Sequence, residues 1–95
     1  MSLRWTRAAA RHLEEIGDHV ALDKPAAADR LVRRIIAEAG TLSTHPEIGR
    51  AGRIDGTREL IVSGTPYIVV YRSRNGAVEI LAVFHGARRW PDHIA

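Results

Sequence analysis

The chain has 95 residues, 45% of them hydrophobic and 26% charged, with no cysteine and a net charge of +3. That length fits a single domain, residues 1–95, which buries only about 60–65% of its unfolded surface and gains from a partner. Disulfides and thiolate metal sites are excluded, no apolar run nears the ~20 residues that span a bilayer, and "MSLRWTRAAARHLEEIGD" has no apolar signal-peptide core, so a cytoplasmic protein without a membrane is expected.

In chain order, "SLRW" places Leu3 and Trp5 on one side of a short first strand. Thr6 can cap a helix starting near Arg7, where Ala9, Leu13, Ile16 and Val20 recur at helical spacing. Arg11, Glu14, Glu15 and Asp18 fall on its other faces. Asp23 with Pro25 just inside signals a second helix. Its stripe is Ala28, Leu31, Ile35, Ala39 and Leu42, broadened by Val32. The short "LDK" joint makes the two helices an antiparallel hairpin.

Residues 43–57, "STHPEIGRAGRIDGT", are rich in glycine and read as a loop with a little extended structure. Three strands follow: "TRELIVSG", "PYIVVYRS" and "AVEILAVFH". "SGTP" joins the first two, and Asn75-Gly76 is a strong hairpin signal between the last two. Neither a repeat nor a second domain is visible. The expected fold class is α+β: an N-terminal helical hairpin packed on one face of a twisted three- to four-stranded antiparallel sheet. The opposite face is then the place for chemistry.

Period-two alternation puts Val78, Ile80, Ala82 and Phe84 on one face of the last strand, and Glu79, Leu81, Val83 and His85 on the other. Arg58 shares a face with Leu60 and Val62. The second half of the chain is also the basic half. Residues 50–95 hold seven arginines against four acids, whereas residues 1–49 are neutral. On this reading Arg58, His85, Arg88 and Arg89 can converge at one sheet face or its rim. His85 can serve as a general acid or base, since its unperturbed pKa is ~6.5, or can be a strand-end histidine bonded to a backbone carbonyl. Arg88 and Arg89 can grip a phosphate or a partner's carboxylates, or can be a solvated pair. Arg72 lies on the face of the central strand opposite Tyr67, Val69 and Tyr71 and can contact a target. Trp90 can stack on a base or pack back onto the core. His12, His19, His45 and His93 show no metal-ligand spacing with acids and read as structural or exposed. Neither a metal nor a cofactor is expected.

Three segments, "HPEIGRAGRIDGTRELIVSGTPYIVVYRS", "RNGAVEILAVFHGARRWP" and the helical "DKPAAADRLVRRI", together carry a pattern that resembles the RelE/ParE superfamily of bacterial toxins. The resemblance covers essentially the whole chain. It implies the toxin half of a type II toxin–antitoxin module, which inhibits growth and is neutralised in a hetero-oligomer by an antitoxin encoded nearby. RelE-like members cleave mRNA in the ribosomal A site, and ParE-like members poison DNA gyrase. By resemblance, Arg58 matches the family's strand arginine, and Arg88 or Arg89 matches the arginine after the last strand. The familiar RelE pattern uses several lysines and a late tyrosine. This chain has only Lys24, and no tyrosine after Tyr71, so equivalent chemistry would rest on His85 and the arginines. The chain-wide pattern leads to ribosome-dependent mRNA cleavage as the first expectation. Gyrase poisoning, or a degenerate antitoxin-binding module, is the alternative. The segment "FHGARRWP" is expected to be the functional end of the molecule.

Overall fold

The structure is a computed structural model and describes residues 1–87. Strand β1 (Ser2–Trp5) leads into helix α1 (Arg7–Ala21), then α2 (Pro25–Gly40), a 3-10 turn at Thr41–Ser43, and strands β2 (Arg50–Ala51), β3 (Arg58–Ile61), β4 (Tyr67–Arg74) and β5 (Ala77–His85). The five strands form one sheet in the order β1-β5-β4-β3-β2. The class is α+β as expected, but the sheet has one strand more than the three to four anticipated. It is also mixed: β1 runs parallel to β5 while the other pairs are antiparallel. Among the described residues no helix is long and apolar enough to cross a membrane.

Thr6 makes the junction of β1 and α1. Its hydroxyl accepts from the Ala9 N–H at 3.2 Å, which caps the helix. The same hydroxyl donates to the Ile80 carbonyl at 2.8 Å, which ties that cap to β5. The stripe of α1 faces inward, with Ala9 buried and Leu13 and Ile16 packed on the core. At the hairpin joint the Asp23 N–H donates to Val20 O, so Asp23 belongs to the turn that closes α1. The α2 cap position falls to Lys24, one residue later than expected, with Pro25 opening the helix and no side-chain cap bond. The helices approach closely where Gly17 faces Val32, since a Cβ at Gly17 would lie 3.0 Å from Val32 Cγ2.

Both helices cover one face of the sheet. Ile35, Ala39 and Leu42 meet Tyr67, Val69 and Tyr71 of β4 and Val78, Ile80 and Val83 of β5, all buried. Each such aliphatic side chain contributes roughly 1.5–3 kcal/mol by leaving water. The outer face carries a smaller cluster of Ile68, Val70, Leu81, Ala82 and Phe84. The β4–β5 hairpin closes as its Asn-Gly pair predicts, with φ of 52° at Asn75 and 76° at Gly76.

Candidate functional site

His85 does not lie where simple alternation puts it. Val70 pairs with Ala82 but Tyr71 pairs with Ile80, so Leu81 is an extra residue in β5. A bulge of this kind reverses the side-chain alternation beyond it. Val78 and Ile80 face the helices, and so do Val83 and His85 after the bulge. Leu81, Ala82 and Phe84 occupy the outer face. The expected grouping of Leu81 with Val83 and His85, and of Ala82 and Phe84 with Val78 and Ile80, is thus corrected by a one-residue shift.

The bulge delivers half-buried His85 to the helix side, opposite Tyr67. The two rings meet edge to face, 5.3 Å apart at 79°. The Nδ1 of His85 accepts from the Ala87 N–H at 3.1 Å, so in the neutral ring the proton sits on Nε2. A cleft of about 290 Å³ opens beside it, with His12, Glu15 and His19 of α1 on one wall and Tyr67, Val83 and His85 on the other. His12 has a structural task there. Strand β1 ends at Trp5, opposite Ile80, and leaves the edge of β5 open beyond that point. The Nδ1 of His12 accepts the Val83 N–H at 3.3 Å. Burial pushes the His12 pKa below its usual value, Arg11 pushes the same way, and Glu15 opposes them. His12, Glu15 and His19 fall at helical spacing on one face of α1. That periodicity was available in the sequence as a sign that they meet the same neighbour.

Arg58 shares a face with Leu60 as expected, but that face, opposite Tyr71, is the helix side and not the open face where the chemistry was expected. Its guanidinium donates to Gly49 O at 2.8 Å and to Glu47 O at 3.3 Å. Buried Tyr71 holds the same loop: its hydroxyl donates to Pro46 O at 2.8 Å and accepts the Gly49 N–H at 2.9 Å. Sequence reasoning missed this clamp, although "HPEIG" and the Tyr71 position were both visible. Arg58 and His85 are not brought together. Two strand spacings and four residues of β4 separate them, roughly 16 Å between backbones. Arg72 lies on the outer face and donates to Glu79 at 2.8 Å, while Arg4 pairs with the other oxygen of that carboxylate. Glu59 is held in the same way by Arg50 at 3.2 Å and by the Arg53 N–H at 3.0 Å. Arg88, Arg89 and Trp90 lie outside the described residues. Among the described residues no cluster of three or more histidine, aspartate and glutamate side chains is placed to hold a metal ion.

The family described as "ParE toxin of type II toxin-antitoxin system, parDE" matches residues 3–90. The chain belongs to that family. It is 48% identical over 90 residues to a Sinorhizobium fredii protein named "Putative toxin Y4kP", covering 94% of this chain and 92% of that one. It is 36% identical over 84 residues to Toxin RelE2 of Caulobacter vibrioides, covering 88% and 93%. A solved structure described as the chromosomal ParDE TA system from P. aeruginosa superposes with a TM-score of 0.83 at 30% identity, over 90% of this chain and 95% of that chain.

Proposed function

We propose that this ParE-family toxin stops growth by docking on DNA gyrase and trapping it on DNA, without cutting RNA itself. A cognate antitoxin encoded nearby holds it inactive in a hetero-oligomer. The observation that carries this reading is that, among the described residues, the parts a nuclease needs side by side are held apart. RNA cleavage by attack of a ribose 2′-OH needs a proton acceptor next to cations that grip the phosphate. Here His85 sits in a cleft with His12 and Glu15. Arg58 donates to the loop carbonyls of Glu47 and Gly49, and Arg72 lies on the outer face of the sheet, opposite to that of His85. A docking toxin needs no such pairing, only a stable surface. The match to a family named for ParE supports the same reading.

Ribosome-dependent mRNA cleavage is the second reading, favoured by the relative named Toxin RelE2. Induction in cells without the antitoxin separates the two. Gyrase poisoning gives double-strand breaks and an SOS response while mRNA stays intact. It also gives cleaved plasmid when purified toxin is added to gyrase and DNA. Prompt arrest of translation with cut mRNA, and a normal supercoiling reaction, would overturn the proposal. Normal growth with the folded chain present would remove both readings and leave a binding module.

A further inference from the structure

We infer that the cleft beside the β4–β5 hairpin, on the outer face of the sheet, is a phosphodiester site that holds the backbone of a nucleic-acid strand. The site is built from two cross-strand rows. Arg72, Glu79 and Arg4 form one row across β4, β5 and β1, and Arg74, Ala77 and Ser2 form the next. Directly opposed residues share a face, and so do residues two apart in one strand. Ala77 offers only a methyl group between Arg74 and Ser2, so the rows leave a depression. It is a cleft of about 450 Å³, walled by Arg4, Arg72, Arg74 and Asn75.

Its charge and its order both suit an anion. Three guanidiniums face one carboxylate, for a local charge of +2. The Glu79 side chain is only 7% exposed and grips Arg72 through one oxygen and Arg4 through the other. Each guanidinium carries five N–H donors in a rigid fork, so one contact to Glu79 leaves donors for a ligand. The internal carboxylate fixes two of the three cations in advance, which lowers the entropy cost of binding. The Arg74 side chain has no hydrogen-bond or ion-pair partner among the described residues.

The lining favours a polynucleotide over an acidic peptide. A docking peptide buries apolar side chains as well as charges, and among the described residues Ala77 is the only apolar one lining the cleft. A nucleic-acid strand presents repeated single charges along a line, and Arg72 and Arg74 are spaced about 6.6 Å along β4. The site lies at the start of β5, roughly 26 Å along the strand from His85. It does not rest on the choice between gyrase and ribosome, since both hold nucleic acid.

The test is fluorescence anisotropy of a short, labelled thymidylate oligonucleotide with the purified chain, over a salt series from roughly 0.05 to 0.4 M. Each lost phosphate contact should flatten the slope of log K against log salt by about 0.7 for a single strand. Arg74→Ala and Arg4→Ala should each show that change, which is about fivefold weaker binding at 0.1 M salt. Arg33→Ala, on the exposed side of α2, should leave the slope unaltered. Arg74→Ala is the deciding variant because its side chain has nothing to release, and its melting midpoint should equal that of the parent. An unchanged slope in a folded Arg74→Ala chain overturns the site, as does the absence of oligonucleotide binding by the parent. Equally tight binding of a labelled oligoglutamate peptide, lost through the same arginines, would make the cleft a carboxylate site and overturn the assignment too.

Discussion

Replacing Tyr71 with Phe removes one oxygen from the fully buried ring that holds the loop before β2. That oxygen is the partner of both the buried Gly49 N–H and the Pro46 carbonyl. The N–H then has no replacement, and an unsatisfied buried group costs about 1–3 kcal/mol. The Pro46 carbonyl is only partly buried and can recruit water, so it adds little. The expected loss is about 2 kcal/mol, out of the 5–15 kcal/mol typical of a whole domain. For a chain of this size each kcal/mol moves the melting midpoint by about 4–8 °C, which gives a fall of about 8–16 °C. Circular dichroism in heat and in urea reads it directly, with an unchanged urea slope because the exposed surface is the same. The phenol supplies a second readout. Burial raises the Tyr71 pKa above its model-peptide value of 10.0, against the opposing pull of the Gly49 N–H and Arg58. The folded chain then keeps a proton that the unfolded chain releases, so stability falls as the pH rises past about 10. Tyr71→Phe should lose that part of the alkaline decline. A variant melting within about 2 °C of the parent would refute the clamp, because the buried N–H would have been satisfied some other way.

Three further outcomes follow from the same geometry. Gly49→Ala should destabilise more than Tyr71→Phe, since its Cβ would sit 2.6 Å from the Tyr71 hydroxyl and 3.0 Å from the Glu59 carbonyl, and differential scanning calorimetry ranks the two. Gly76→Ala places a Cβ at φ of 76° and should cost about 1–2 kcal/mol in urea unfolding, with the surrounding sheet unchanged by NMR. His12 titrates below its usual 6.5 in the folded chain. The unfolded chain therefore takes up this proton first as the pH falls, and the stability due to neutral His12 is present above about 6.5 and lost below it. His12→Gln, whose amide oxygen can still accept the Val83 N–H, should flatten the fall in melting midpoint between pH 7 and pH 5. An equally steep fall in that variant would assign the effect to other groups.

Sequence by itself determined the parts whose signals are local. The stripes of α1 and α2 follow from helical spacing of apolar residues, and Asn75-Gly76 fixes its hairpin because few pairs adopt φ > 0 at both positions. Leu3 and Trp5 placed the first strand, but nothing in four residues tells which neighbour it joins, and the parallel pairing with β5 came only with the fold. The site depended on more distant partners. One extra residue at Leu81 turned His85 from the expected outer face to the helix side, and alternation cannot report a bulge, because apolar residues stand on both sides of it. Arg58 looked free to grip a phosphate, yet backbone carbonyls nine and eleven residues earlier engage one of its terminal nitrogens and hold it to the loop. Arg4 and Arg72 lie far apart in the chain and meet only through Glu79. Periodicity records which side of its own element a residue occupies. Only the tertiary structure, by bringing the strands into register, decides which charged groups end up sharing one space.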